Sequence, residues 1–375
     1  MEKGQKALKA LQDTLSQENA SWEAGSNFML ELTAKEQQAY LGYTPGPDEP
    51  NMEEKEALSA QNFQSYLTAM SGNDGGFGAP GAYDLRNVNG ANYITPVKNQ
   101  GSCGSCVAFG TVAAVEGTER RAKNNPNLAV DYSEAHLFYC HARSEGRRCG
   151  GSNGGWWVPP ALSHYQNTGV TDEACYPYTA GDQNCSGRCS DWASRVTKIS
   201  GSTEITNINA MKDWISTKGP LIACYTVYSD FFGYRTGVYR KSAGATSRGG
   251  HCVCVVGYSD AQQAWICKNS WGTGWGDNGY FRIGYGQVGI DNKMWGINGI
   301  VDTGWLNSVK VTGLWVQQNN RNAWAYITGE GWKKISNRDE NGFINLVAQL
   351  TTAKAGNRSC KLYINKGEIT TAYVW

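Results

Sequence analysis

The stretch Asn99-Gln100-Gly101-Ser102-Cys103-Gly104-Ser105-Cys106-Val107-Ala108-Phe109-Gly110 gathers a side-chain amide donor, two thiols and three glycines ahead of an apolar, helix-compatible segment, Thr111 to Gly117. A cysteine placed where a glycine-rich turn enters a helix meets the positive end of the helix dipole. The dipole favours the thiolate and makes the side chain a nucleophile near neutral pH. Cys106 is in that position. A thiolate that attacks a carbonyl also needs a proton carrier, and a group that holds the carrier's ring. Four histidines are present, His136, His141, His164 and His251. Only His251 heads a strand-like apolar run, Gly249 to Tyr258, and is followed by an amide that could orient it, in Lys268-Asn269-Ser270-Trp271-Gly272. The spacing Cys103-Gly104-Ser105-Cys106 also fits a redox pair or half of a zinc site. A zinc ribbon needs a second such pair, which the sequence lacks. A thioredoxin-like site needs a compact βαβ context, whereas Pro96 to Gly104 reads as an extended approach.

Taken together and in this order, the three motifs resemble the papain/cathepsin family of cysteine peptidases. That family sets Cys-Gly-[Ser/Ala]-Cys-[Trp/Tyr] ahead of a His and an Asn roughly 130–150 residues later. Here His251 stands 145 residues after Cys106. The resemblance runs from about Tyr83 to Asp302, with Asp84-Leu85-Arg86 near its start, where the family usually has Trp in place of Leu85, and Val107 where an aromatic normally follows the nucleophile. It implies an α+β fold of two lobes: a helical lobe (about Ser105 to Tyr165) against a β-barrel-like lobe (about Val196 to Asn298), with a cleft between. It implies Cys106 as nucleophile, His251 as acid and base, Asn269 as orienting amide, and Gln100 as oxyanion donor with the Cys106 backbone N–H. Trp271 would shield the His251–Asn269 bond.

The same resemblance reaches the substrate cleft. Cys149-Gly150-Gly151-Ser152-Asn153-Gly154-Gly155-Trp156-Trp157 is similar to the family's Cys-Asn-Gly-Gly segment with three extra residues. Gly154 and Gly155 would leave the backbone bare for an extended peptide to pair with. Trp156 and Trp157 would border the pocket for the residue second upstream of the cut, with Cys224, Gly250 and Cys252 as further walls. An apolar or aromatic preference is implied. Two disulfides follow from the resemblance, Cys103–Cys149 and Cys140–Cys185, and nearness in sequence adds Cys175–Cys189. Cys224, Cys252, Cys254, Cys267 and Cys360 are expected as buried thiols. No metal and no cofactor is expected.

Other elements must position and control this site. Ala7, Leu8, Leu11 and Leu15 have helical spacing within Lys6 to Ser16. Thr33-Ala34-Lys35-Glu36 reads as a capping box opening a second helix through Tyr40. Glu53 to Met70 reads as a third helix, followed by a glycine-rich, protease-accessible linker, Ser71 to Gly78. Asn27 to Glu36 resembles part of a cathepsin propeptide. Residues 1–80 are therefore read as an inhibitory pro-segment, against a generic helical extension, and 81–302 as the catalytic domain. By resemblance, the stretch after the second helix runs through the cleft opposite to substrate. Separately, acids of the segment such as Glu18, Glu23, Glu31 and Glu49, if paired with the catalytic domain, would let go as they protonate, so mild acid is expected to loosen the segment. Residues 303–375 read as a small β-rich accessory domain: strands Val309 to Val316, Ala323 to Ile327, Lys361 to Ile364 and Ile369 to Trp375, with a helix from Phe343 to Ala355. Their order resembles oligosaccharide-binding barrels. Trp315, Trp324 and Trp332 line either a glycan or protein surface or a core.

Composition narrows the function. The balance of 34 basic to 33 acidic residues, net +1, gives no bulk attraction to nucleic acid or to anionic membrane. No apolar run approaches the roughly 20 residues of a membrane-spanning helix. Twelve cysteines favour an oxidising compartment, while Met1-Glu2-Lys3-Gly4-Gln5 lacks an apolar signal core. The expectation is a signal peptide removed from the precursor and a secreted, or else lysosomal or vacuolar, protein. The resulting reading is a cysteine endopeptidase zymogen acting on proteins or peptides. A peptide ligase, an exopeptidase and a non-catalytic binding protein driven by the C-terminal domain are the alternatives.

Overall fold

Three helices come first in the chain: α1 (Glu2–Gln17), α2 (Ala34–Gln38) and α3 (Met52–Ser71), with strand β1 (Trp22–Ala24) between the first two. The computed structural model describes residues 2–71, 78–301, 304–317, 321–365 and 367–375. The expected linker lies largely outside the described residues. Strand β2 (Ala82–Asp84) and helices α4 (Cys106–Ala122) and α5 (Val158–Asn167) follow, then β3 (Lys198–Ile205) and α6 (Ile208–Thr217). Six strands complete this part: β4 (Leu221–Tyr228), β5 (Tyr234–Tyr239), β6 (Ser247–Ser259), β7 (Ala264–Lys268), β8 (Tyr280–Gly284) and β9 (Met294–Val301). The sheet runs β1-β5-β8-β7-β6-β4-β9-β3, with β2 paired to β6. The chain forms two compact units, residues 1–300 and 301–375.

The apolar stripe of α1 buries Leu15 and partly buries Leu8 and Leu11, as its spacing requires. β1 then adds to the edge of the catalytic sheet, pairing Trp22 with Gly237. At α2 the capping box forms: the Glu36 N–H donates to Thr33 Oγ1 at 3.3 Å, and the Thr33 N–H to Glu36 Oε2 at 2.7 Å. This helix stops at Gln38, short of the expected Tyr40. The chain must straighten there, because Gly42 and Tyr43 take up strand pairing with Gly250. Asn51 and Glu54 bond reciprocally to start α3. That helix docks on the β-rich lobe: Ser59 bonds buried Asp291, Asn62 Nδ2 donates to the Asp291 carbonyl at 2.9 Å, and the Tyr66 hydroxyl donates to Asp260 at 3.1 Å.

α4 is buried on all sides from Cys106 through Glu119, as an all-round apolar and small-residue helix must be. A Cβ on Gly110 would sit 3.2 Å from both Cys252 Sγ and the Val253 carbonyl oxygen, so the glycine permits close packing on β6. The apolar run of β6, covered on both faces, makes it a central strand.

In the second unit, β10 (Gly304–Gln317), β11 (Asn322–Ile327), β12 (Gly331–Ile335), β13 (Ser359–Asn365) and β14 (Glu368–Val374) close a barrel in the order β10-β11-β12-β14-β13. Helix α7 (Glu340–Ala355) begins at Asp339, whose side chain caps the Gly342 N–H. Aliphatic side chains such as Ile327, Ile335, Leu350 and Leu362 fill the interior. Trp315 and Trp332 are 46% and 50% exposed, so they lie on the surface and not in the core.

Candidate active site

The thiol of Cys106, at the first residue of α4, is buried. The backbones of Cys252, Gly42 and Val107 lie near its sulfur and favour the thiolate. Burial nevertheless pushes this thiol well above its ordinary range, with the Cys224 thiol adding to the effect. His251 lies within β6, beside Cys252. Its Nε2 is 2.8 Å from Asn269 Oδ1, and that same oxygen accepts the Ser270 N–H at 2.8 Å. An atom that accepts from a backbone amide is an oxygen, so His251 Nε2 carries the proton and Nδ1 presents the lone pair. Nδ1 has no hydrogen-bond partner. Burial lowers the imidazole to about 4, partly opposed by the Asn269 bond. Trp271 covers the pair, its ring centroid 4.8 Å from that of His251.

Gln100 is fully buried and held from several sides. Its backbone N–H donates to the Ser270 carbonyl at 2.8 Å, and Ser270 Oγ lies 2.5 Å from its Oε1. This leaves Nε2 aimed at two carbonyls, that of Cys103 at 2.8 Å and that of Tyr40 at 3.1 Å. The second belongs to the N-terminal segment.

That segment passes directly over the thiol. The N–H groups of Gly42 and Tyr43 donate to the Gly250 carbonyl at 3.1 and 3.0 Å, and the Trp156 N–H donates to the Gly42 carbonyl at 2.7 Å. Tyr43 lies parallel to Trp156 and antiparallel to Gly250. Tyr43 is buried within electrostatic reach of Cys224 and Cys252, and its hydroxyl donates to Glu49 at 2.8 Å. The buried ammonium of Lys55 stands 3.7 Å from Glu49 and over the Tyr43 ring. Burial lowers the Lys55 pKa.

The other cleft residues take distinct places. Gly155, at φ +79°, faces the strand: a Cβ there would meet the Gly42 oxygen at 2.2 Å. Gly154 instead packs on its own loop at Gly150. Trp156 contributes its backbone; its indole is turned away and donates to Glu145 at 2.8 Å. Trp157 faces the strand at Gly46. Bridges join Cys103–Cys149, Cys140–Cys185 and Cys175–Cys189. The first ties the turn ahead of Cys106 to the cleft wall. Ser270, Gly42 and Tyr43 were missed in the sequence reading. For Ser270 the signal was its place between Asn269 and Trp271. For the other two it was a glycine followed by an aromatic just past the second helix.

A buried cysteine at a helix start, a histidine held by an amide, and a peptide strand laid across both define a cysteine peptidase in a latent form. Comparison with known proteins agrees. The family described as "Papain family cysteine protease" matches residues 79–298, more than half of the chain. Cathepsin B-like CP3 of Giardia intestinalis is 36% identical over 216 residues, 55% of this chain and 69% of that protein. The Cathepsin L-like proteinase of Fasciola hepatica is 32% identical over 198 residues, covering 52% and 57%. Among solved structures, the digestive procathepsin L2 proteinase from Tenebrio molitor larval midgut aligns at a TM-score of 0.62 and 27% identity, covering 79% of this chain and 91% of that one. The proCathepsin B S9 from Trypanosoma congolense shares the fold at a TM-score of 0.60 and 22% identity, covering 78% and 98%. The chain belongs to the papain family of cysteine proteases, and it carries an intramolecular pro-segment as procathepsins do.

Proposed function

We propose that this zymogen yields an endopeptidase in which Cys106, His251, Asn269 and Gln100 carry the chemistry. One observation carries the reading: a peptide carbonyl, that of Tyr40, accepts from Gln100 Nε2 while Gly42, two residues on, lies near the Cys106 sulfur. Once the pro-segment leaves, water and substrate enter, and proton transfer from Cys106 to His251 Nδ1 gives a thiolate and an imidazolium. The thiolate attacks the scissile carbonyl carbon, and Gln100 Nε2 with the helix-start amide receives the oxyanion. The imidazolium protonates the leaving amine as the C–N bond breaks, leaving a thioester. Neutral His251 then takes a proton from water, whose oxygen displaces the sulfur and releases the acid. Asn269 keeps Nδ1 facing the reaction throughout.

The pro-segment enters past Trp271, against which the Tyr40 ring packs edge-on, and leaves past Trp157. A cleft open at both ends suits an endopeptidase better than an exopeptidase. We assign residues 1–80 as the inhibitory segment, 81–302 as the catalytic domain and 303–375 as accessory, with a glycan or protein ligand on its exposed tryptophans. The bridged cysteines support a secreted or lysosomal setting. Cys106→Ala tests the assignment: peptide hydrolysis is expected to vanish with the circular dichroism spectrum unchanged. Hydrolysis near the wild-type rate in that variant would overturn it.

A further inference from the structure

Two thiols that the hydrolytic chemistry does not use sit against the nucleophile. Cys224 on β4 and Cys252 on β6 are directly opposite in the antiparallel register. Both are buried and unbridged. Opposed residues of an antiparallel pair have Cα atoms roughly 4.5–5.5 Å apart, which falls inside the roughly 4.4–6.8 Å that a disulfide spans. Burial, together with the neighbouring Cys224 thiol, raises the pKa of the Cys252 thiol. The other free thiols of the sheet have no such partner: Cys254 stands opposite Ile222 and Lys268, and Cys267 opposite Val255 and Phe281. Tyr43 of the pro-segment is only 2% exposed and pairs with Gly250, two residues before Cys252. With the segment in place both thiols are closed to water.

We propose that Cys224 and Cys252 form a redox site in the floor of the substrate pocket, closed by Tyr43 in the zymogen and opened to low-molecular-weight disulfides on activation. This rests on the proposed departure of the pro-segment. One thiolate attacks a sulfur of the disulfide and expels a thiolate, leaving a mixed disulfide. The second cysteine attacks the protein sulfur of that adduct and expels the other thiolate. The pair loses two electrons and two protons, and the small disulfide becomes two thiols. Bonding draws the two walls together to an S–S length of about 2.05 Å, which changes the pocket's shape. A change of about one methylene in an apolar pocket alters discrimination by about tenfold or more, so the redox state sets substrate preference.

Oxidised glutathione is the probe, with non-reducing peptide mapping as the readout. In full-length Cys106→Ala protein, which cannot process itself, the pair is expected to stay reduced. Adding Tyr43→Ala is expected to let the Cys224–Cys252 bridge form. In acid-activated wild-type enzyme, first checked for hydrolysis of a blocked peptide, the same bridge is expected. After a brief monothiol wash to free Cys106, preference between aromatic and small residues second upstream of the cut shifts about tenfold, and dithiothreitol reverses it. Both cysteines remaining alkylatable in the Tyr43→Ala chain, or Cys252 bridged to Cys106 in the active enzyme, overturns the proposal. Absence of hydrolysis in the acid-treated wild-type protein, with the bridge still forming in the Tyr43→Ala chain, counts against the peptidase assignment and supports the thiol site.

Discussion

Gly42 is the residue on which latency turns, and Gly42→Ala is its test. A Cβ on Gly42 would stand 1.9 Å from the Gly104 carbonyl oxygen and 2.2 Å from its carbonyl carbon. Both are main-chain atoms next to the Cys103–Cys149 bridge, so neither swings aside as a flexible side chain would. The strand must lift. Lifting weakens the Gly42-to-Gly250 bond at 3.1 Å, the Trp156-to-Gly42 bond at 2.7 Å and the Gln100-to-Tyr40 bond at 3.1 Å. At about 1 kcal/mol net for each neutral bond, and with part of the strand able to dock again, the loss is about 2–3 kcal/mol. That converts to about a 30- to 150-fold larger open fraction. The assay is the initial rate on a fluorogenic blocked peptide at neutral pH, with gels confirming that both chains remain full length. The intact variant is expected to outpace the intact wild type by that factor. Equal latency in the two chains refutes the reasoning.

Two further outcomes follow from the same geometry. His251 is buried neutral, with its pKa lowered to about 4. The released imidazole, open to water and beside the Cys106 thiolate, holds its proton to higher pH than the docked one, so docking weakens as pH falls from neutral toward about 4. New N-termini, read by sequencing during incubation, are expected to appear across this range and not at neutral pH; a release rate independent of pH contradicts it. Gln100→Ala is expected to lower kcat of the released enzyme about 10²–10³-fold with KM changed little, and an unchanged kcat removes Gln100 from the oxyanion site.

Cys106, His251, Asn269 and Gln100 stand out in the sequence because each sits in a short contiguous motif whose residue types suggest a chemistry. The structure brings the three motifs that hold them together at one site. Gly42 and Tyr43 were not legible in the same way. Their roles arise from pairing with Gly250 and Trp156, more than a hundred residues away, and Leu41-Gly42-Tyr43-Thr44 has no periodicity to announce it. Gly154-Gly155-Trp156-Trp157 could not reveal which indole faces the cleft, since the local backbone turn decides it and Glu145 claims the first. At three residues β1 is too short for alternation to show. β12 hides behind Lys333 and Lys334, with only Ile335 fully inside the barrel. The capping box at Thr33 was readable because both its partners are local, whereas the early end of α2 was not, because a distant strand pulls the chain straight.

The central claim is that Cys106 is the nucleophile and that residues Tyr40 to Tyr43 cover it. Its most direct test is to expose wild-type protein to an epoxysuccinyl thiol-protease inhibitor, once as the intact chain at neutral pH and once after acid release of the pro-segment, and to map the adduct by peptide mass spectrometry. No adduct is expected on the intact chain, and stoichiometric labelling of Cys106 is expected after release. Labelling of a different cysteine, or full labelling of Cys106 while the pro-segment remains docked, would contradict it.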